Sequence, residues 1–203
     1  VINYVKNREM AEKTASETGG IAFMADVSDS GQVMQMIKEI HDRTGQIDVL
    51  VNNAGISVSG LFTDITPQQA QRLWDINVQG VFNCTKAVLP HMIHRKYGRI
   101  INISSMWGQV GASCEVHYSA SKAAVIGFTK ALAKEVGLSG INVNCIAPGV
   151  IDTDMNACYS EDVMQELRDE TPLGRTGKPE DIAQAVSFLA SGKSDFITGQ
   201  VIG

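Results

Sequence analysis

The chain has only four cysteines in 203 residues, and it lacks both a long hydrophobic run and an excess of positive charge. Cys84, Cys114, Cys145 and Cys158 stand 30, 31 and 13 residues apart, which fits neither a zinc motif nor a dense disulfide framework. They are expected as buried free thiols of a protein in the reducing cytoplasm. No stretch approaches the apolar length that spans a bilayer, and the start carries no charged segment followed by an apolar one. A net charge of −5 and a pI near 5.3 argue against nucleic acid or an anionic membrane as the main partner. Internal repeats, low-complexity tracts and linkers are also missing. The composition that remains, 44% hydrophobic and 19% charged, is that of one soluble domain with chain enough for a buried core. Both ends read as cut. Val1 to Val5 is already strand-like, with no Met before it, and Ile197 to Gly203 runs into another strand. Residues 1–203 are therefore expected to be a single domain from a longer protein.

Apolar stretches at Val1–Val5, Ile21–Ala25, Ile47–Val51, Gly98–Ser104 and Ile141–Ile146 read as strands. Between them lie helical patterns over Asn7–Thr18, Ser28–Thr44, Thr66 to about His94, the stretch around Tyr118 to Val136, and Pro179–Ala190. Ile151 to Arg175 reads as loop and a polar helix. The third helix opens with Thr66 as cap and Pro67 at its first position, and a break is expected within it. Met34, Met36, Ile37 and Ile40 are expected as a core stripe. Apolar strands alternating with helices predict an α/β fold: a doubly wound, mostly parallel, Rossmann-like sheet with helices on both faces. Ligands of such sheets bind beyond the carboxyl ends of the strands. Asp26, Asn52–Gly55, Ser104-Ser105 and Pro148-Gly149 all fall there. His91 and His94 have helical spacing but no third ligand nearby, so no metal site is expected.

Tyr118-Ser119-Ala120-Ser121-Lys122 carries the chemistry. On a helix, residues four apart share a face, so the Lys122 ammonium lies beside the Tyr118 ring. A free tyrosine has a pKa near 10, and a nearby cation favours the phenolate; a shift of about three units represents about 4 kcal/mol. Such a tyrosine protonates a developing alkoxide at neutral pH. A bland surface pair has the same spacing, and the neighbouring motifs decide between the two.

Those motifs resemble the short-chain dehydrogenase/reductase family over nearly the whole chain. The matching pieces are Asn52-Asn53-Ala54-Gly55, Asn77 in I-N-V-Q-G, Ser105 in I-S-S-M-W-G, Tyr118 and Lys122 in Y-S-A-S-K, and Pro148-Gly149 in P-G-V-I-D-T. Ser105 stands thirteen residues before Tyr118, the family's usual interval. The resemblance implies hydride delivery from a reduced nicotinamide to a ketone. Ser105 would hydrogen-bond the carbonyl oxygen, Tyr118 would protonate it, Lys122 would lower the Tyr118 pKa and bind the nicotinamide ribose, and Asn77 would hold a water in the proton path. Asp26 and Val27 would contact the adenine, Asn53, Ala54 and Gly55 would line the adenosine side, and Ile151 with Thr153 would hold the carboxamide beyond Pro148-Gly149. The family's glycine-rich phosphate loop, T-G-x-x-x-G-x-G, has no counterpart, which fits a missing first βα unit of about 20–30 residues. The 203 residues alone are not expected to hold a dinucleotide tightly.

The ribose-reading strand ends Asn3-Tyr4-Val5-Lys6-Asn7-Arg8, with two cations and no carboxylate. NADPH is expected over NADH, with Asn3 and Arg8 as candidate contacts; the alternative is that Lys6 and Arg8 merely begin a solvated helix. Within the family, I-N-Y-V-K-N, P-L-G-R-T-G-K-P-E-D-I-A and F-I-T-G-Q are most similar to the 3-oxoacyl-acyl-carrier-protein reductases, which implies a carrier-bound ketone substrate. Trp107 to Tyr118 instead resembles the substrate-side loop of reductases acting on the 5-aminopentanone group of elongation factor P. There Trp107 and Glu115 would face substrate, with Glu115 meeting its amine. Glu115 as an exposed loop carboxylate and Cys114 as a small packed residue are the plain alternatives, and His117 is either a substrate contact or an exposed loop histidine. A non-catalytic scaffold on the same fold is a third reading, opposed by the intact Asn77, Ser105, Tyr118 and Lys122 set. The family usually forms homotetramers, and Ala123, Ala124, Gly127, Ala131 and Ala133 would permit close helix approach.

Overall fold

Alternating apolar strands and amphipathic helices build the expected layers. The computed structural model describes residues 1–156 and 160–203, so Cys158 lies outside the described residues. In chain order these form β1 (Ile2–Tyr4), α1 (Arg8–Glu17), β2 (Ala22–Met24), α2 (Ser30–Thr44), β3 (Val49–Asn52) and α3 (Pro67–Trp74). A π-helical turn, Asp75–Gln79, leads directly into α4 (Gly80–Arg95). Then come β4 (Gly98–Ile103), α5 (Trp107–Val110), α6 (Val116–Val136), β5 (Ile141–Ile146), α7 (Glu161–Glu170), α8 (Pro179–Ala190) and β6 (Val201–Ile202).

Local chemistry sets the helix ends. The Asn7 side chain caps α1, Asp29 accepts the Gly31 and Gln32 amides at the start of α2, and Thr66 with Gln69 forms a capping box ahead of Pro67. Gly45 ends α2 at φ 78°, a left-handed conformation that suits glycine. The break expected in the third helix is the π-turn, where the Gly80 amide bonds back to the Asp75 carbonyl.

Every strand pair is parallel, as predicted. The strands form two sheets rather than one: β1 pairs with β2, and β3-β4-β5-β6 make a separate four-stranded sheet. Because no strand among the described residues links them, β3 is an edge, and apolar Val51 is 39% exposed. The core lies between α2, α4, α6 and the sheets, with Val33, Met36, Ile37, Ile40, Val88, Met92, Ile100 and Val143 buried. Met34 is corrected from core to surface, because it falls off the buried stripe of α2 at 60% exposure. His91 stacks on His41 of α2 at 4.4 Å between ring centres. Cys84 and Cys145 are buried free thiols whose pKa burial pushes up to about 11, whereas Cys114 is exposed.

A polar ladder crosses the sheet interior. Asn52 Nδ2 donates to Thr85 Oγ1 at 3.1 Å and to Asn102 Oδ1 at 2.8 Å. Asn102 Nδ2 in turn donates to Thr129 Oγ1 at 2.9 Å, and Thr129 to the Val125 carbonyl at 2.8 Å. Buried amides are tolerated only with such partners. The ladder ties β3 and β4 to α4 and α6, the elements that carry the candidate site.

Candidate active site

The site forms where α6 crosses the carboxyl ends of β3, β4 and β5. Tyr118 and Lys122 lie one turn apart on α6 and are both buried, with Lys122 Nζ 5.7 Å from the centre of the Tyr118 ring. The surface-pair alternative is therefore excluded. Lys122 Nζ donates to the Ile103 carbonyl at the end of β4, at 2.9 Å. Desolvation lowers its pKa to about 8, with the Cys145 thiol opposing slightly. At pH 7 such a group is still about nine-tenths protonated, so a cation remains beside the tyrosine.

Asn77 occupies the middle of the π-turn and is 1% exposed. Its Oδ1 accepts the Ile56 amide at 2.8 Å, and its Nδ2 donates to the Ile56 carbonyl at 2.9 Å and to Ser121 Oγ at 3.1 Å. Ser121 donates to the Tyr118 carbonyl at 2.8 Å, which links Asn77 to the backbone of the catalytic turn. Gly55 is inserted between these groups. A Cβ there would lie 3.3 Å from Lys122 Nζ and 3.4 Å from Asn77 Oδ1, a tight fit that would press on both side-chain ends.

Ser105 is buried just past β4, and its Oγ accepts the Trp107 amide at 3.2 Å. Ser104 anchors the segment by donating to the Lys122 carbonyl at 2.8 Å. Gly108 lets α5 approach α6, since a Cβ on it would fall 2.8 Å from the Lys122 carbonyl carbon. Beyond β5, the Pro148 carbonyl accepts the Met106 amide at 2.8 Å, and exposed Gly149 sits beside Met106. The segments bearing Gly55, Asn77, Ser105, Tyr118, Lys122 and Pro148 thus meet at one sheet edge. Trp107 is half-buried on α5.

The other sequence-derived candidates surround that centre. Asn53 and Ala54 are exposed after β3. Val27 is buried against Gly80, while Asp26 is held by α3: Arg72 Nη2 donates to its Oδ2 at 2.6 Å and Arg72 Nη1 to Ser28 Oγ at 2.8 Å. Desolvation would raise the Asp26 pKa, but hydrogen bonds from Ser28 and Arg72 outweigh it and bring it to about 2. Ile151 bridges to Gly177, and its carbonyl accepts from Asn156 Nδ2 at 2.6 Å and from Thr153 Oγ1 at 3.4 Å. On the ribose side, Asn3 Nδ2 donates to the Ala25 carbonyl at 2.9 Å and so faces the neighbouring strand. Arg8 forms an exposed 2.7 Å pair with Glu12. Glu115 is buried rather than the exposed loop carboxylate of the plain alternative, with Ser57 and Ser59 as hydrogen-bond donors. The sequence reading did not single out Ser57, Ser59, Arg72 or Ser121; only Ser121, one turn from Tyr118 in the same motif, carried a usable signal.

A protein-family model described as enoyl-(acyl carrier protein) reductase matches residues 1–203. The chain is 41% identical to the 3-oxoacyl-[acyl-carrier-protein] reductase of Staphylococcus aureus, over 99% of this chain and 84% of that one. It is 42% identical to the enzyme of the same name from Chlamydia muridarum, over 99% and 82%. A crystal structure of a gluconate 5-dehydrogenase from Burkholderia cenocepacia, in complex with NADP and tartrate, superposes with a TM-score of 0.92 at 35% identity, covering 99% of this chain and 81% of that one. With these similarities and the site geometry together, the chain belongs to the short-chain dehydrogenase/reductase family.

Proposed function

We propose that the protein is an NADPH-dependent reductase that converts a 3-oxoacyl group on acyl carrier protein to its 3-hydroxy form. The observation that carries the chemistry is the buried Tyr118–Lys122 pair, with Asn77 and Ser105 anchored around it. The name shared by the S. aureus and C. muridarum relatives supports the substrate. NADP in the Burkholderia enzyme supports the cofactor. Asn53 and Ala54, exposed at the strand end that adjoins Gly55 and Lys122, support a dinucleotide lying there. Asp26, Val27, Asn53, Ala54 and Gly55 would hold the adenosine side, Pro148, Gly149, Ile151 and Thr153 the carboxamide side, and Arg8 the ribose phosphate. When bound, the nicotinamide supplies hydride to the carbonyl carbon. Ser105 then donates to the carbonyl oxygen, and Tyr118 protonates it as negative charge builds. Lys122 keeps a cation beside the phenol, and Asn77 fixes the turn through which the proton is restored.

The break between the two sheets supports a further part of this reading. In the common order 3-2-1-4-5-6, a first strand stands between strands 2 and 4, and β1 and β3 would be their counterparts here. A preceding βα unit with the phosphate loop would close the sheet. Homotetramers built on α4 and α6 and a cytoplasmic setting complete the proposal; exposed Phe82 packed against Phe128 supports the first, and free thiols the second.

Glu115 favours a second reading. A carboxylate offers about four lone-pair sites, and two hydroxyls use two of them here, with no salt-bridge partner among the described residues. A substrate ammonium would suit it, as in the 5-aminopentanone group of elongation factor P. The test follows reduced-nicotinamide absorbance with NADPH or NADH against a 3-oxoacyl thioester and a small aminoketone. Turnover of the thioester, lost by about 10²–10⁴-fold in Tyr118→Phe, supports the main reading. Turnover of the aminoketone alone would replace it with the second. Absence of cofactor binding would restore the scaffold reading.

A further inference from the structure

Glu115 sits at the N-cap position of α6, three residues before Tyr118, yet its side chain caps nothing. The carboxylate turns away from the helix and crosses to the loop that follows β3. Oε2 accepts from Ser57 Oγ at 2.9 Å, and Oε1 accepts from Ser59 Oγ. Two more contacts join the same segments: the Gly60 amide donates to the Cys114 carbonyl at 2.9 Å, and the Phe62 ring stacks on His117 with centres 5.1 Å apart. Cys114 adopts φ 60°, a conformation that a residue with a side chain holds only where its surroundings enforce it. The Gly60 bond is one such restraint.

The loop is also fixed at its beginning, where Asn77 grips both backbone groups of Ile56 and reaches Ser121 of α6. Loop residues 56–62 are therefore tied to the helix of Tyr118 at two points, by Asn77 through Ser121 within its catalytic turn and by Glu115 before it. These residues follow a strand's carboxyl end, where ligands approach such sheets. We infer that Glu115 is a positioning residue, which holds loop 56–62 through Ser57 and Ser59 as the wall that aligns a ketone on Tyr118. This inference rests on Tyr118 as the proton donor but not on the identity of the ketone.

The test compares Glu115→Ala, Glu115→Gln and the Ser57→Ala/Ser59→Ala pair by hydrogen exchange, cofactor binding and steady-state reduction of a 3-oxoacyl thioester. Loosening the wall raises KM and lowers kcat/KM by about 10- to 100-fold in Glu115→Ala, the scale of a misplacement near 1 Å. Cofactor affinity stays within about twofold, and the Gly60 amide loses protection. The serine pair behaves alike. Glu115→Gln recovers most of the loss, because an amide accepts one hydroxyl and donates to the other. Unchanged Gly60 protection in Glu115→Ala overturns the inference, and so does a glutamine variant as impaired as alanine, since the two hydroxyl contacts would then not be what Glu115 supplies. Should the parent reduce no thioester, the function proposed above fails, and Gly60 exchange still decides the clasp.

Discussion

Lys122→Met separates the cost of burying a catalytic cation from its use. The folded pKa of about 8 lies below the unfolded value of 10.5. Between those values the unfolded chain binds the extra proton, so stability rises with pH through that window. Below pH 8 both states are protonated and the full penalty is present. The gap corresponds to about 3 kcal/mol at pH 7 and to about 1 kcal/mol at pH 10, a change of about 2 kcal/mol. Methionine has a similar reach and no charge, but it leaves the Ile103 carbonyl without its donor, a loss of about 1–3 kcal/mol that does not vary with pH. The stability of Lys122→Met relative to the parent should therefore fall by about 2 kcal/mol between pH 7 and pH 10. Urea denaturation at the two pH values measures it, with Tyr118→Phe carried in both proteins so that the phenol whose ionisation Lys122 would shift is absent. A difference that stays constant within about 0.5 kcal/mol would refute the assignment of Lys122 as a desolvated cation.

Gly108→Ala would drive a methyl group into the Lys122 backbone at 2.8 Å and Ser104 Oγ at 2.9 Å. It should cost about 1–3 kcal/mol in thermal unfolding and reduce turnover by displacing Ser105; a variant with parental melting and rate would show that α5 has room to spare. Arg72→Ala should cost about 1 kcal/mol at neutral pH after allowance for its partly exposed pair with Asp26. The depressed Asp26 pKa means that this contribution is present above 3.8 and disappears as pH falls through about 2, so the parent and variant acid-unfolding curves should converge there.

The strand and helix spans were legible because period and punctuation coincide: Gly45 stops α2, Thr66-Pro67 starts α3, and β5 begins and ends at Ile141 and Ile146 as read. The Tyr118–Lys122 face followed from helical spacing alone. Side-chain destinations were harder to read. Asn3 carries no mark that its amide turns into the strand pair, and Glu115 looks like a solvated loop residue until its partners, 56 and 58 positions away in the chain, are known. Met34 satisfied the apolar pattern, but only the far side of the α2 stripe is covered. The split sheet was not read from any strand's own residues, and its only trace in the sequence was the absent glycine-rich loop.

The π-turn at Asp75–Gln79 makes the length of this helical segment a matter of angle. Each residue rotates an α-helix by about 100°, and the wide turn lets Asn77 face inward while α3 and α4 continue on either side. Deleting one residue there would tidy the helix into a continuous α-helical ladder. It would also swing α4 relative to α3, parting Gly80 from Val27 or Asn77 from Ile56. A more regular helix would then belong to a less capable protein, and the irregular turn acts as the dial that keeps two faces of the molecule in phase.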